Sequence, residues 1–380
     1  MFIQTTDQAL FAKTTAQFLE TRYPAARVRE LARQGVGFDR AAWKEGAALG
    51  WTALLVPESA GGGSISGNGL VDLLGVAFEF GRHAAPGPLL GTNVVAAALG
   101  RWGRDDQRRG PVAALVDGTA TAAWCPSTAV DGVVTARSGV TAVASRDRVV
   151  LDGALPCVEG GAEVDSLLVL ASEGEGGSHY LVPASSPGVE ASPLVGLDAT
   201  RRFARVALRQ VELPASARVG EAGAGLAQGA DLLDVVATLQ AAEIAGAMER
   251  AFDMTLRWTA ERYSFGRPLS SYQEIKHRMA DMRTALEASA AIAARAARAV
   301  GDGAPGASAW ASAAKAYTGR VGPEVIQDCI QLHGGIGVTY DHDLHLLLRR
   351  AVADAQLFGA PADFHDRLVR GIETAEESEA

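Results

Sequence analysis

Two short segments in the last third of the chain carry residues that could bind a diphosphate group. They are residues 262–273, which begin Arg-Tyr-Ser-Phe-Gly-Arg-Pro, and residues 331–337, which read Gln-Leu-His-Gly-Gly-Ile-Gly. Arg262 is a permanently charged, forked donor, which suits a diphosphate. Gly334 and Gly335 lack a Cβ, so a ligand could approach their backbone closely. Each feature also has a structural explanation, because arginines and glycines are common at helix ends.

Helical periodicity predicts the elements that would position these segments. Long helices are expected over 224–262, 272–300 and 307–332, and the Gly- and Pro-containing cluster 301–306 separates the last two. Arg262 therefore ends one helix, and Gly334 and Gly335 follow another. Residues up to about 118 are also predicted to be helical, apart from a glycine-rich loop at 61–67.

The stretch from about 119 to 218 has a different pattern. Short β-type runs are separated by Gly, Asp and Pro, which predicts a β-sandwich or barrel. The runs cover 133–135, 140–143, 148–151, 166–170, 179–182 and 204–208. The fold class is therefore α+β and multidomain. Its expected parts are an N-terminal helical domain (1–118), a β-domain (119–218) and a C-terminal helical bundle (219–380).

Composition narrows the possible classes of protein. The chain of 380 residues is 48% hydrophobic and 21% charged, as expected for a soluble globular protein with two or three domains. Its net charge of −9 argues against non-specific binding to nucleic acid, and no apolar run is long enough to span a bilayer. Cys125, Cys157 and Cys329 lack metal-ligand spacing, and the N-terminus lacks the pattern of a signal peptide. These features predict a cytoplasmic protein without a metal site.

Both segments resemble the C-terminal domain of the acyl-CoA dehydrogenases, flavin enzymes that desaturate acyl thioesters between Cα and Cβ. The resemblance covers nearly the whole chain, because residues 56–62, 79–88 and 196–214 are also similar to family segments. It implies an acyl-CoA dehydrogenase-like fold: an N-terminal helical domain, a middle β-sandwich or barrel and a C-terminal four-helix bundle. It also implies FAD as cofactor, an acyl-CoA thioester as substrate and an electron-transfer acceptor as a partner.

In this family FAD lies at a subunit interface. One subunit's β-domain holds the flavin ring, and the neighbour's C-terminal helices reach the adenosine and the pyrophosphate. The resemblance implies that this chain keeps the neighbour's contribution. The matching residues are Arg262 at the pyrophosphate, Phe265 beside the cofactor, Gln273 and Gln331 as amide partners, and Gly334 and Gly335 at the pyrophosphate.

The β-domain segments that match the family's flavin-ring loops depart from the family pattern. The first family loop resembles Thr-Glu-Pro-x-x-Gly-Ser-Asp, but residues 123–128 read Ala-Trp-Cys-Pro-Ser-Thr and lack its acidic and glycine positions. The second loop usually reads Gly-x-Lys-x-Trp-Ile-Thr. A gapless alignment places Leu155 at the Lys, Cys157 at the Trp and Glu159 at the Thr. A carboxylate at the last position would oppose the negative charge that develops on reduced flavin.

The catalytic base is also missing from its expected positions. Abstraction of an α-proton requires a carboxylate whose pKa is raised by burial. Gly359 occupies the usual family position of this Glu, and Val236 occupies the position that a minority of relatives use. Four other carboxylates lie nearby in the chain, namely Asp234, Glu243, Asp354 and Asp363. Each is expected to be solvated or paired, so the catalytic residues stay unassigned.

Three functions are compatible with this pattern. The preferred one is the partner subunit of a heteromeric acyl-CoA dehydrogenase, which donates residues to FAD held mainly by a sister chain. Such α₂β₂ arrangements occur among actinobacterial relatives that act on bulky acyl-CoA side chains, notably those of steroids. The second is a self-sufficient homo-oligomeric dehydrogenase with a relocated base, acting on an acyl-CoA or a carrier-protein thioester. The third is a flavin-free scaffold that binds a thioester.

Overall fold

The N-terminal part of the chain is helical, as predicted. The computed structural model describes residues 5–126, 139–174 and 176–379, with side chains up to residue 372. The first helices are α1 (Thr6–Arg22), α2 (Ala25–Gln34), α3 (Arg40–Ala48), α4 (Gly69–His83), α5 (Leu89–Trp102), α6 (Asp105–Gln107) and α7 (Ala113–Val116). Residues 61–67 form the expected loop between α3 and α4.

The middle of the chain forms a β-sheet. Its strands are β1 (Ala122–Cys125), β2 (Val140–Ala144), β3 (Arg148–Glu159), β4 (Ser166–Glu173), β5 (Gly176–Pro183), β6 (Val189–Leu194), β7 (Phe203–Pro214) and β8 (Arg218–Val219). Their order is β6-β7-β3-β2-β4-β5-β8, and β1 lies parallel to β4. These strands join in one sheet, which forms the predicted middle β-domain of the α+β fold. The predicted run at 133–135 lies outside the described residues.

An irregularity in β3 shapes the later site. The register of β3 with β7 shifts between Leu151 and Gly153 and again between Leu155 and Val158. Such shifts bend a strand and redirect its side chains. The second shift lies at Pro156 and Cys157, where β3 approaches the C-terminal domain.

Long helices form the C-terminal part. The elements are α8 (Gly225–Glu261), β9 (Tyr263–Ser264), β10 (Arg267–Pro268), α9 (Gln273–Gly301), α10 (Ala307–His333), α11 (Leu344–Gln356) and α12 (Pro361–Glu379). Helices α8, α9 and α10 pack on one another, and α11 and α12 pack against α10. Among the described helices, none combines the length and apolar character needed to cross a membrane.

Two glycines allow a close crossing between α4 and α8. A Cβ on Gly81 would lie 1.9 Å from the Glu243 carbonyl oxygen, and one on Gly246 would lie 1.9 Å from the Phe78 carbonyl oxygen. Only glycine permits this approach of the two backbones. The crossing places Glu243 in the interior, between the N-terminal helices, the sheet and α11.

Candidate functional site

A pocket of about 300 Å³ lies between the β-sheet and the C-terminal helices. Its wall includes residues 124–126 at the end of β1 and just after it, and residues 154–159 of β3. It also includes residues 356–359, which end α11 and begin the turn to α12. We call it the β-domain pocket. These are the three regions in which the sequence departs from the family pattern, so the fold brings together the first loop, the second loop and the expected base position. Residues 127 and 128 of the first loop lie outside the described residues.

The backbone at Gly359 disfavours a residue with a side chain. Its φ is +124°, and a Cβ at this position would lie 3.0 Å from Phe364 Cε2. Residues with a side chain rarely adopt this φ. A glutamate at 359 would therefore require the turn to change its conformation.

The other expected base position contributes to the hydrophobic core. Val236 is 1% exposed and packs in a cluster that includes Leu168 and Phe364. An ionised glutamate in this cluster would be buried without a partner, which is energetically unfavourable.

Each of the alternative carboxylates has a partner within the chain. Asp234 lies 2.6 Å from the Arg367 guanidinium, and Asp363 accepts a hydrogen bond of 2.8 Å from the Ala360 N–H. Glu243 and Asp354 both pair with Arg201. None of the four is a free carboxylate positioned as a base. This agrees with the expectation that each would be solvated or paired.

A buried ion cluster lies behind the β-domain pocket. Arg201 pairs with Glu159 and Glu243, and its guanidinium lies 2.7 Å from Asp354 Oδ1. Burial alone would lower the pKa of Arg201, but the carboxylates of Asp354, Glu159 and Glu243 raise it well above its ordinary value. Burial raises the pKa of Asp354, and the neighbouring Glu243 raises it further.

This cluster corrects the expectation for Glu159. The sequence suggested a carboxylate whose charge would oppose a reduced flavin. The structure places the Glu159 carboxylate against Arg201, which compensates its charge. The position that aligns with the family Thr therefore carries a carboxylate whose charge Arg201 compensates. The repulsion expected between this carboxylate and a reduced flavin is largely removed.

A second buried arginine joins the three parts of the chain. Arg350 of α11 donates to Asp198 Oδ2 at 3.0 Å and to the Ala85 carbonyl at 3.0 Å, and it also contacts Thr200. Sequence reasoning did not identify Arg201 or Arg350 as interior residues. The sequence contains one signal for the burial of Arg350. This residue lies on the face of α11 that the apolar periodicity predicts to be buried.

Trp124, on the pocket wall, is oriented by a buried histidine. The Trp124 Nε1–H donates to His179 Nε2 at 3.3 Å, and His179 Nδ1 lies 3.1 Å from Gln228 Oε1. These partners require a neutral imidazole that carries its proton on Nδ1. Burial lowers the pKa of His179 to about 4, which agrees with this geometry.

We expect His179 to make the fold sensitive to acid. The unfolded chain binds this proton near pH 6.5 and the folded chain only near pH 4, so stability falls as the pH decreases through this window. The shift corresponds to about 3 kcal/mol. In His179→Gln, whose amide oxygen can still accept from Trp124, urea unfolding at pH 7, 5.5 and 4 should show an acid-induced loss smaller by about this amount. Parallel pH profiles for the two proteins would contradict the assignment.

The six residues matched to the adenosine side of FAD lie in the C-terminal domain. Arg262 follows α8, Gln273 begins α9, and Gln331, Gly334 and Gly335 line a groove of about 660 Å³ at the end of α10. The Arg262 guanidinium lies 6.0 Å from the Trp258 ring, and that ring stacks on His333 at 5.2 Å. Trp258 therefore connects Arg262 of the first segment with His333 of the second.

These residues are directed away from the chain's own interior. Phe265 is 96% exposed, which argues against a role in core packing. Arg262, Gln273 and Gln331 are exposed as well. A Cβ on Gly334 or Gly335 would meet no atom of this chain within 4 Å. Gly334 also ends α10, where its φ is +66° and its N–H donates to the Gln331 carbonyl. Gly334 therefore has a structural role in addition to an uncovered backbone.

The described residues fit FAD on one side only. The adenosine side offers an unburied guanidinium, two amides and a bare glycine backbone, which are suited to a diphosphate and its neighbours. The described wall of the β-domain pocket is mainly apolar, and Glu159 is already engaged by Arg201. Among the described residues of this wall, a flavin ring would not meet the side-chain partners that the two family loops provide.

Comparison with known proteins identifies the family. Residues 5–119 match "Acyl-CoA dehydrogenase, N-terminal domain", and residues 222–362 match "Acyl-CoA dehydrogenase, C-terminal domain", together more than half of the chain. The chain therefore belongs to the acyl-CoA dehydrogenase family, whose members are flavin-dependent oxidoreductases. The family predicted from the sequence is confirmed.

Several relatives align along most of this chain. The acyl-CoA dehydrogenase IpdE2 of Mycobacterium tuberculosis is 29% identical over 363 residues, covering 95% of this chain and 96% of the relative. The acyl-CoA dehydrogenase FadE34 of the same organism is 32% identical over 80% of this chain and 38% of its own length.

Solved structures confirm the predicted overall fold. Butyryl-CoA dehydrogenase from Megasphaera elsdenii superposes with a TM-score of 0.90 at 22% identity, over 98% of this chain and 99% of the other. A variant of the Tcur3481–Tcur3483 steroid ACAD superposes with a TM-score of 0.86 at 29% identity, over 98% and 99% of the two chains. The ChsE4–ChsE5 complex of Mycobacterium tuberculosis gives a TM-score of 0.87 at 24% identity, with the same coverage.

Proposed function

We propose that this chain is the partner subunit of a heteromeric acyl-CoA dehydrogenase that catalyses α,β-desaturation of an acyl thioester. A sister chain provides the flavin loops and the catalytic glutamate, and this chain provides the adenosine side of the FAD site. One observation carries the proposal. The residues matched to the adenosine side are exposed, while the described wall of the β-domain pocket has Gly359 at the expected base position and loop residues that differ from the family pattern.

The relatives support a heteromeric assembly. Two of the similar structures, the Tcur3481–Tcur3483 steroid ACAD and the ChsE4–ChsE5 complex, each pair two different chains. By analogy the acyl group is a bulky one, such as a steroid side chain. The substrate is then bound mainly by the sister chain, and an electron-transfer acceptor completes the reaction cycle.

The residues of this chain act on the cofactor by binding and charge compensation. FAD, when bound, accepts the hydride in this family. Arg262 offsets the charge of the diphosphate, and the backbone at Gly334 and Gly335 leaves room for close approach. Gln273 and Gln331 donate or accept through their amides, and Phe265 provides an apolar surface beside the cofactor. The proton at Cα is removed by the sister chain's carboxylate.

Reconstitution tests this proposal. We expect dehydrogenase activity, followed by reduction of an artificial electron acceptor, only when this chain is combined with a sister chain that has the family's flavin loops and base. Replacing the sister's catalytic Glu with Gln should abolish that activity. Activity of this chain alone would support the self-sufficient enzyme with a relocated base. Full activity of the sister alone would mean that this chain is not required, as for a scaffold.

A further inference from the structure

The turn between α11 and α12 has an unusual backbone conformation. Phe358 has a φ of +66°, and Gly359 follows with a φ of +124°. Positive φ is common for glycine but rare and strained for an aromatic residue. Such strain persists only where the surrounding structure enforces it, so the contacts of Phe358 indicate its purpose.

The contacts of Phe358 place its ring in the β-domain pocket. The ring stacks on Trp124 with centroids 5.4 Å apart and planes inclined by 27°. Trp124 is itself positioned by His179, as described above. Both rings line the pocket, whose volume of about 300 Å³ lies at the low end of the range for sites that bind small molecules. Phe358 therefore occupies space that a bound apolar group would need.

A buried lysine fixes the start of this turn. Lys315 of α10 is fully buried, and its ammonium group donates to Gln240 Oε1 at 2.6 Å, to the Leu357 carbonyl at 3.2 Å and to the Asp354 carbonyl. Three acceptors match the three donors of an ammonium group. Two of them are backbone carbonyls at the C-terminal end of α11, where a cation is favourable.

The far side of the turn is fixed as well. The Asp363 carboxylate accepts from the Ala360 N–H at 2.8 Å, at the start of α12. The turn is thus anchored by Lys315 before Phe358 and by Asp363 after Gly359. With both ends anchored, the strained conformation at Phe358 is maintained and its ring stays against Trp124.

We propose that Phe358 closes this chain's own pocket against an acyl group, and that Lys315 is the positioning residue that holds it in place. The proposal rests on the proposed function, because closure directs the thioester to the sister chain's pocket. Phe358 determines specificity through its ring. Lys315 acts through the backbone of residues 354–357 without touching a ligand.

The test compares the binding of octanoyl-CoA and of CoA to the full chain by calorimetry. The native chain should bind octanoyl-CoA no more tightly than CoA. Phe358→Gly, which removes the ring and relieves the positive φ, should bind octanoyl-CoA at least about tenfold more tightly than CoA, because several methylenes become buried. Phe358→Ala is a second variant should the first fail to fold. A preference for octanoyl-CoA in the native chain, or none in a folded Phe358 variant, overturns the proposal.

Lys315→Met tests the positioning role. It removes the cation but retains the side chain's bulk, so the turn should loosen and a preference for octanoyl-CoA should appear. Thr318→Val is the control, since it removes a buried hydrogen bond to the Ala314 carbonyl on the same helix and should create no such preference. If Lys315→Met and Thr318→Val both lose stability and neither prefers octanoyl-CoA over CoA, Lys315 has only a structural role. These outcomes are distinct from failure of the proposed function, which would appear as FAD bound to this chain alone.

Discussion

Replacing Arg262 with alanine is expected to release FAD from the complex of this chain with its sister, while both chains stay folded. Arg262 is exposed, and its guanidinium lies over the Trp258 ring, so little of the fold depends on it. A hydrogen bond to a charged group contributes about 1.5–3 kcal/mol, and a forked arginine can make two. We therefore expect FAD binding to weaken by about 10- to 150-fold for each bond lost. Titration of the flavin-free complex with FAD measures this change.

Two further variants separate charge from geometry. Arg262→Lys keeps the charge but loses the fork, and it should weaken FAD binding to an intermediate degree. Arg257→Ala is the matched control, because Arg257 is also exposed near the end of α8 and the net charge changes equally. Equal FAD affinity in the Arg262→Ala and native complexes would contradict the assignment. An equal loss in Arg257→Ala would show that the effect is only one of net charge.

Replacing Arg201 with methionine is expected to lower the free energy of unfolding more than any other substitution proposed for this chain. Arg201→Met would leave the Glu159, Glu243 and Asp354 carboxylates in the interior without their shared cation. Breaking a buried ion pair in this way costs about 3–5 kcal/mol. Urea unfolding at pH 7 measures the difference in the free energy of unfolding. The deficit should shrink at lower pH, because buried carboxylates without a partner bind protons more readily in the folded than in the unfolded chain.

The neighbouring strand residue Arg205 provides the control. It is exposed on β7, so Arg205→Met should change the stability by less than about 0.5 kcal/mol. Adding Glu243→Gln to Arg201→Met should recover part of the loss, because one uncompensated charge is removed. A stable Arg201→Met variant with an unchanged pH profile would show that the cluster does not depend on this arginine.

The long helices were predictable because their sequence signals are local. Helices expected over 224–262, 272–300 and 307–332 are found at Gly225–Glu261, Gln273–Gly301 and Ala307–His333. Apolar periodicity over many turns and the breaker cluster at 301–306 define them without reference to the rest of the fold. The glycine at position 359, where the family resemblance places the catalytic glutamate, was also visible in the sequence. Its backbone conformation was not.

The ion cluster was not predictable, because it depends on contacts between distant parts of the chain. Arg201 meets Glu159 of β3, Glu243 of α8 and Asp354 of α11. A charged residue taken singly is expected to face solvent or to have a partner, and the sequence does not identify which distant residue that partner is. The stacking of Phe358 on Trp124 could not be predicted for the same reason, because the two residues are far apart in sequence.

The flavin content of the purified chain, alone and in complex with its sister, tests the central claim most directly. The half-site account predicts no visible flavin absorbance for this chain alone and one FAD for each pair of chains in the complex. The same complex made with Arg262→Ala should lose that flavin. One FAD per subunit in this chain alone, bleached by an acyl-CoA, would contradict the account and show that the chain has a complete site of its own.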